Sequence, residues 1–220
     1  MKLSIIIPIF NEADTITELV AKVRQIPIEY EIVLIDDASD DGSGQIIAGM
    51  VNAPYTIVIH HPVNQGKGAA IATGMNVATG GVAVIQDADL EYDPQDLVKL
   101  IEPIQNGEVQ VVYGVRDLGS QKLVMRLGNR FLTWLTGILY GVKLRDMETC
   151  YKMWKREVLD GVDLESDAFD VEVELTAKFI RRGERIVQIP IAYQAREAKK
   201  LRWWVDGPVA LLKLVRYRFR

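Results

Sequence analysis

Short unbroken apolar runs alternate along the first half of the chain with stretches whose apolar positions recur every three to four residues. Leu3-Ser4-Ile5-Ile6-Ile7, closed by Pro8, predicts a buried strand. Ile16, Leu19, Val20 and Val23 stand at i, i+3, i+4 and i+7, one face of a helix, with Asn11 and Asp14 placed to cap it. Residues 31–35 form a second strand that runs into Asp36-Asp37. A short helix over residues 45–50 and a third strand over 55–59 follow, and Gly66-Lys67-Gly68 opens another helix. Residues 82–85 make a fourth strand running into Asp87-Ala88-Asp89. Asp93-Pro94 starts a helix with Leu97, Leu100, Ile101 and Ile104 apolar, and residues 109–115 make a fifth strand.

Strands that are apolar throughout, alternating with helices, mean an α/β fold: a mostly parallel sheet with helices on both faces. In such sheets ligands bind beyond the carboxyl ends of the strands. The carboxylates gather at those ends, Asp36 and Asp37 after the second strand and Asp87 and Asp89 after the fourth, and packing does not explain two acidic pairs at one rim. Beyond residue 116 the rhythm changes. Residues 123–140 read as a long helix or helix pair, 150–154 as a strand, 168–182 as a helix, 186–191 as a strand, and Asp206-Gly207-Pro208 as the start of a final helix. No repeat, low-complexity stretch or linker divides the 220 residues, so they read as one domain. Within it, residues 1–115 form one half, 116–200 a second, and 201–220 an amphipathic tail.

With 49% hydrophobic and 25% charged residues, the chain can build a substantial core, which excludes disorder. The single cysteine, Cys150, excludes an internal disulfide framework and a multi-cysteine zinc site. His60 and His61 are adjacent at a strand end and read as structural. The N-terminus is too short and too strand-like for a signal peptide, so a cytoplasmic protein is expected. The long uncharged run 68–86 holds four glycines, and the more apolar run 131–142 has only 12 residues, so no membrane span is expected. The net charge of −4 is unevenly spread: −11 over residues 1–115, +6 over 116–156, −5 over 157–195 and +6 over 196–220. Two basic blocks in an acidic protein suit an anionic partner, a phosphate or a lipid head group; nucleic acid is not an expected partner.

Asp87-Ala88-Asp89, with Glu91 two residues on, offers hard oxygens from a strand end. Such donors suit Mg²⁺ or Mn²⁺, which take one or two carboxylates and complete their shell with substrate phosphates. In the loop Asp36-Asp37-Ala38-Ser39-Asp40-Asp41-Gly42-Ser43, a carboxylate can accept from a base or ribose, or can simply cap a helix. Asn64-Gln65-Gly66-Lys67-Gly68-Ala69-Ala70 looks like a phosphate loop. It has no Ser or Thr after a G-x-x-x-x-G-K, and Ile71 stands where a dinucleotide fingerprint needs its third glycine.

These segments, in this order and spacing, resemble family-2 glycosyltransferases of GT-A fold, in particular those that use polyprenyl phosphates. The likeness begins at Ile6-Ile7-Pro8-Ile9-Phe10-Asn11-Glu12 and extends through Tyr113-Gly114-Val115-Arg116, Gly128-Asn129-Arg130-Phe131, Asp146-Met147-Glu148-Thr149 and the segment 151–159. It implies a Rossmann-type GT-A sheet and an enzyme that moves a sugar from a nucleotide-diphosphate sugar, with inversion, to a polyprenyl phosphate at the cytoplasmic membrane face. Pro8, Phe10, Glu12, Ile35 and Asp37 match positions that hold the nucleoside. Asp87, Ala88 and Asp89 match the metal–diphosphate motif, and Glu91 falls where the mannosyltransferases usually carry Gln. Arg116 and Arg130 match arginines near donor sugar and acceptor phosphate. Lys67 is placed with the nucleotide-sugar site, and Arg196 and Lys200 match a basic pair in a loop over the diphosphate.

The chemistry agrees with the resemblance. A diphosphate leaving group needs neutralising by a divalent ion and by Lys or Arg. A phosphomonoester acceptor, with a second pKa of about 6, is already a nucleophile at neutral pH. A hydroxyl acceptor would need a base, for which Asp146 is the candidate; the equal alternative is a structural acid paired to Arg145 or Arg130. A third reading is a silent nucleotide-sugar-binding subunit, which the intact Asp87/Asp89 pair opposes. The tail, with Trp203, Trp204 and a Leu/Val stripe among Lys213, Arg216, Arg218 and Arg220, reads either as a helix docked on the core or as an interfacial membrane anchor.

Overall fold

The computed structural model describes residues 1–166, 168, 170–196 and 203–219, with the side chains of the last segment from Pro208 onward. The elements run Leu3–Ile9 (β1), Ile16–Val23 (α1), Tyr30–Asp36 (β2), Ser43–Ala48 (α2), Thr56–His60 (β3), Lys67–Val77 (α3), Val82–Ile85 (β4) and Asp96–Gln105 (α4). They continue with Val111–Arg116 (β5), Leu123–Tyr140 (α5), Lys152–Lys155 (β6), Val171–Arg181 (α6), Ile186–Ile191 (β7) and Trp203–Phe219 (α7). The strands form one seven-stranded sheet in the order β3-β2-β1-β4-β6-β5-β7. It is parallel except for β6, which runs antiparallel to β4 and β5. The expected mostly parallel α/β sheet with helices on both faces is the fold.

The core is the set of strand residues that alternate onto both faces, among them Ile5, Ile6, Ile32, Val33, Val84, Val112 and Trp154, all out of solvent. Helix α3 lies so close on β1 and β2 that a Cβ at Gly74 would stand 2.5 Å from Ile6 Cγ2 and 2.9 Å from Ile35 Cδ1. Glycine is the residue that permits that approach.

Three local expectations are corrected. Pro8 does not end β1, which continues to Ile9. Gln86 N donates to Ile6 O, so Pro8, two residues on, faces the same side, just beyond the end of β4, and its missing N–H costs no ladder bond. Asn11 and Asp14 do not cap α1: its N-cap is Thr15, without a side-chain bond. Asn11 is used elsewhere, in a left-handed conformation (φ 53°), its Oδ1 accepting from Asp40 N at 2.9 Å and its N donating to Ser39 Oγ at 3.0 Å. The last helix starts at Trp203, with Pro208 inside it. The lost intrahelical bond is offset by docking of Ala210, Leu214 and Tyr217 against Met147, Val173 and Ala177.

Glu31, at the edge of β2, joins strand ends that the sequence keeps far apart. Its carboxylate pairs with Lys2 Nζ (2.6 Å) and accepts from Ser4 Oγ (2.6 Å), Thr79 Oγ1 (2.7 Å) and Gly80 N (3.0 Å). Burial pushes its pKa up, but these donors outweigh that and hold it at about 2, below the ordinary 4.5. A depressed carboxylate contributes stability in full above its unfolded pKa and loses it as pH falls through the folded one. Glu31 therefore adds on the order of 3 kcal/mol above pH 4.5, lost between about 4.5 and 2. Glu31→Gln is expected to lower the melting temperature at pH 7 and flatten its fall across that window; an equally steep fall in the variant counts against this account.

Candidate active site

The chain order fixes where a crevice opens. From β1 it steps outward to β2 and β3, then returns across β1 to β4 on the other side. Connections that leave a sheet in opposite directions from neighbouring strands leave a gap beyond their carboxyl ends. Phe10-Asn11-Glu12 follows β1 at that gap and Gln86-Asp87-Ala88-Asp89 follows β4. The backbone there is unusual: Asn11 (φ 53°), Ala38 (φ 58°) and Leu90 (φ 61°) are left-handed non-glycine residues just beyond β1, β2 and β4. Each such conformer costs of order 1–3 kcal/mol and clusters where side chains must be aimed.

Four carboxylates converge on this gap. Asp89 lies among Asp87, Glu91 and Glu12; burial, then the negative charges of Asp87 and Glu91, push its pKa up to about 7. Its neighbours have cations or donors. Asp87 pairs with Lys67 Nζ at 2.7 Å. Glu12 holds Arg196 Nη1 at 2.8 Å and accepts from Thr15 Oγ1 at 2.9 Å. Glu91 accepts from Tyr193 Oη and from Arg196 N, both at 2.8 Å. Asp89 accepts only the Glu91 N–H, at 3.1 Å, and among the described residues has no ion-pair partner. No preformed cage of three or more His, Cys, Asp or Glu side chains exists among the described residues. The Asp87/Asp89 pair does fit a hard divalent ion that completes its shell from phosphates, because among the described residues no cation compensates the Asp89 carboxylate.

Other predicted residues stand behind this front. Ile35 is fully buried beneath Gly74, and Ala88 is also buried. Asp37 is 2% exposed, and its carboxylate accepts from Gln65 N (2.9 Å), Gly66 N (2.7 Å) and His61 Nδ1 (2.8 Å). It thereby holds the turn that delivers Lys67, where Gly66 takes φ 95°. His61 continues to Thr73 Oγ1 at 2.9 Å, a structural use as expected. Phe10 is exposed at the mouth, and Pro8 is half-buried. Lys200 and the side chains of Trp203 and Trp204 lie outside the described residues.

Across the sheet, Arg116 and Asp146 form a buried two-point pair: Nε to Oδ2 at 2.7 Å and Nη2 to Oδ1 at 2.8 Å, with Arg116 N adding 3.2 Å to Oδ2. Burial pushes the Asp146 carboxyl up, but Arg116 outweighs it and keeps the pKa below the ordinary range. The expected partners Arg145 and Arg130 are thus replaced by Arg116. Both Asp146 oxygens are occupied, as suits a residue that orients Arg116. The guanidinium lies 5.2 Å from the centre of the Tyr193 ring, whose hydroxyl reaches Glu91, so one tyrosine joins the two sides. Arg130 is exposed on α5.

Residues 4–161 match the model of glycosyl transferase family 2. The chain belongs to glycosyltransferase family 2. Among relatives of this transferase, an undecaprenyl-phosphate mannosyltransferase of Micrococcus luteus is 29% identical over 209 residues, covering 90% of this chain and 85% of that protein. A dolichol-phosphate mannosyltransferase of Pyrococcus furiosus is 30% identical over 214 residues, 92% of this chain and 60% of its own length. The chain thus spans well under two thirds of some relatives it matches. The fold is shared with glucosyl-3-phosphoglycerate synthase of Mycobacterium tuberculosis, solved with Mn²⁺, UDP and glucosyl-3-phosphoglycerate. There the TM-score is 0.81 at 21% identity, covering 99% of this chain and 80% of that one. The GT-A fold expected from the resemblance is therefore the fold of this transferase.

Several residues of the site were not anticipated. Glu172, on the buried face of α6, bridges Lys67 (3.0 Å) and the fully buried Lys152 (3.0 Å). Asp87, Lys67, Glu172 and Lys152 form a chain of alternating charge from the crevice into the core. Burial would strip the Lys67 proton, but Asp87 and Glu172 outweigh it and keep the group charged. Lys152 also donates to Met147 O at 2.8 Å, fixing the loop that carries Asp146. The available signal was a carboxylate inside the apolar run Val171-Glu172-Val173-Glu174-Leu175; Tyr193 carried none.

Proposed function

We propose that this family-2 glycosyltransferase moves a sugar, with inversion, from a nucleotide-diphosphate sugar to a polyprenyl phosphate at the cytoplasmic membrane face. The observation that carries the reading is the Asp89 carboxylate, crowded by Asp87 and Glu91 and without a cation among the described residues, in an acidic crevice at the switch point of the sheet. Asp87 and Asp89 would hold Mg²⁺ or Mn²⁺, with Glu91 beside them; the ion neutralises the diphosphate as it leaves. Phe10, Glu12 and Pro8 border the nucleoside, with Ile35, Asp37 and Ala88 supporting the floor. Lys67, Arg196 and Lys200 supply the remaining positive charge to the diphosphate. Arg116, oriented by Asp146, and Arg130 take the acceptor phosphate. An Asp146 already committed to Arg116 speaks for an acceptor that needs no base, and the names of the two mannosyltransferases support a lipid-linked phosphate. No described helix is long and apolar enough to cross a membrane.

The test is a thermal-shift screen of UDP- and GDP-sugars with and without Mn²⁺ or Mg²⁺. A donor at about a hundred times its dissociation constant stabilises by about 2.7 kcal/mol, a rise of roughly 5–10 °C in a chain of this size. The rise is expected to need both donor and metal. No shift with any nucleotide sugar would sink the donor reading.

A further inference from the structure

The charged side chains of the crevice answer the charged ends of its two substrates, but they leave over a pair of hydrogen-bond acceptors. Glu148 Oε1 and Gln121 Oε1 are both shielded from solvent and have no hydrogen-bond partner among the described residues. Both come to the neighbourhood of Arg116 and Tyr193, by different routes. Glu148 lies in the loop between α5 and β6. Because β6 runs antiparallel between β4 and β5, that loop enters the sheet at the carboxyl ends of both. Two residues before Glu148, Asp146 holds Arg116 at the end of β5. Two residues after it, Cys150 donates its N–H to Tyr92 Oη at 3.0 Å and its Sγ–H to Ile85 O at 3.5 Å, at the end of β4 and beside Asp87. The loop thus spans the rim from Arg116 to Asp87, with Glu148 midway.

The cations around Glu148 are already used. Arg116 presents Nε and Nη2 to Asp146, and Lys152 spends its three protons on Met147 O, Thr149 O and Glu172 Oε2. Burial pushes the Glu148 carboxyl up to about 7, which Lys152 and Arg116 oppose without cancelling. Gln121 stands just before α5. Its Nε2 donates to Tyr193 Oη at 3.0 Å, while Tyr193 donates to Glu91 Oε2 at 2.8 Å and its ring centre lies 5.2 Å from the Arg116 guanidinium. A hydroxyl that gives its only proton to Glu91 can only accept from Gln121, so the amide oxygen is the end left over.

Buried acceptors without donors are rare, and each calls for a partner. A phosphate does not satisfy them, because its oxygens are acceptors too and repel a carboxylate. Hydroxyl groups do, since each brings a proton. Both side chains are part-exposed as residues, and the terminal torsions of Glu and Gln are soft, so either group can turn to meet a ligand. Between a diphosphate at Asp87 and Asp89 and an acceptor phosphate at Arg116, the group that must lie is the sugar. We propose that Glu148 and Gln121 receive hydroxyl groups of the transferred sugar, and that Glu148, the charged one, sets which sugar is held. The inference rests on the donor and acceptor sites proposed above and supplies what stands between them.

The test compares nucleoside diphosphates with and without their sugar. GDP, UDP and their mannose, glucose, galactose and N-acetylglucosamine derivatives are titrated with Mg²⁺ by calorimetry into wild type, Glu148→Gln, Glu148→Ala and Gln121→Ala. The free diphosphates are expected to bind all four proteins alike, which also certifies their folds. For the sugar nucleotide that wild type binds best, Glu148→Ala is expected to weaken binding about tenfold or more, and Gln121→Ala about twofold to tenfold. Glu148→Gln, which keeps an acceptor oxygen without its charge, falls between. Analogues of that donor lacking one hydroxyl at a time give a reading that a merely structural role would not move. At one position the loss seen with wild type vanishes in Glu148→Ala, because hydroxyl and carboxylate form a single interaction. Equal weakening of diphosphate and sugar nucleotide, losses that add at every hydroxyl, or diphosphates bound without any of the sugar derivatives overturns the proposal. So does a Glu148→Gln that binds every donor as wild type does while kcat falls about a hundredfold, which makes Glu148 a base. If Glu148→Ala does not fold, Glu148→Gln and Gln121→Ala carry the same comparison. Sugar nucleotides bound equally by all four proteins remove this inference and leave the donor reading standing; no binding of any nucleotide removes the donor reading and the inference with it.

Discussion

Asp89→Asn is expected to abolish sugar transfer without lowering the melting temperature. The carboxylate sits where like charges crowd it, and its pKa of about 7 marks an ionised form that the apo protein holds at a cost. The sign follows. A carboxyl whose folded pKa lies above its unfolded value weakens the fold as pH rises from about 4 to 7, and the penalty is complete above that. At pH 8 in EDTA, asparagine removes the penalty, and each ~1 kcal/mol regained raises the melting temperature by about 2–4 °C. The same substitution removes a hard oxygen donor from the divalent ion, so the metal-dependent part of the donor-induced thermal shift disappears with activity. Asp87→Asn should be the worse folded of the two, because it also strips Lys67 of one of its carboxylates. Transfer that persists in Asp89→Asn, or in wild-type protein held in EDTA, refutes metal-assisted departure of the diphosphate.

Much of the frame was legible because buried parallel strands leave a plain trace: β1, β2, β4 and β5 are apolar on both faces and read as unbroken runs. The direction of β6 was not legible. Periodicity records which residues are buried, and a strand inserted backwards between β4 and β5 buries the same residues as one inserted forwards. The same limit explains α5. Leu127, Phe131, Trp134 and Ile138 recur at helical spacing, but that spacing does not say whether their face turns inward, and each of the four is at least half exposed. Only the buried Asn129, Thr133 and Thr136, satisfied by one another and by the backbone, show that it turns outward.

The candidate site divides along a similar line. Asp36-Asp37 and Asp87-Ala88-Asp89 were readable because a strand end is a local feature. What surrounds them is not local: Glu172 reaches Lys67 across 105 residues, and Arg196 reaches Glu12 across 184. Lys67 was placed with the donor because it stands in a glycine-flanked loop; the structure adds that its charge is fixed by Asp87 and Glu172. Asp37, placed with the nucleoside, turns out to spend its carboxylate on the backbone of that same loop.

Arg116→Ala is expected to weaken acceptor use far more than donor binding, with Asp146→Asn following it. Charge-assisted hydrogen bonds contribute roughly 1.5–3 kcal/mol each, so losing one bond to the acceptor phosphate raises its KM by about 10- to 150-fold. Breaking a buried pair from one side also leaves an uncompensated charge, at about 3–5 kcal/mol of stability, so both variants melt earlier. The double variant Arg116→Met/Asp146→Leu regains part of that stability without regaining acceptor affinity, which separates the fold from the grip on phosphate. The pH profile separates positioning from base catalysis. With a phosphate acceptor the acid limb reports the acceptor's own second ionisation, at about pH 6, and Asp146→Asn keeps that limb while KM rises. A general base would carry the limb itself, so its disappearance in Asp146→Asn, with KM unchanged and kcat collapsed, would return Asp146 to the reacting atoms and favour a hydroxyl acceptor.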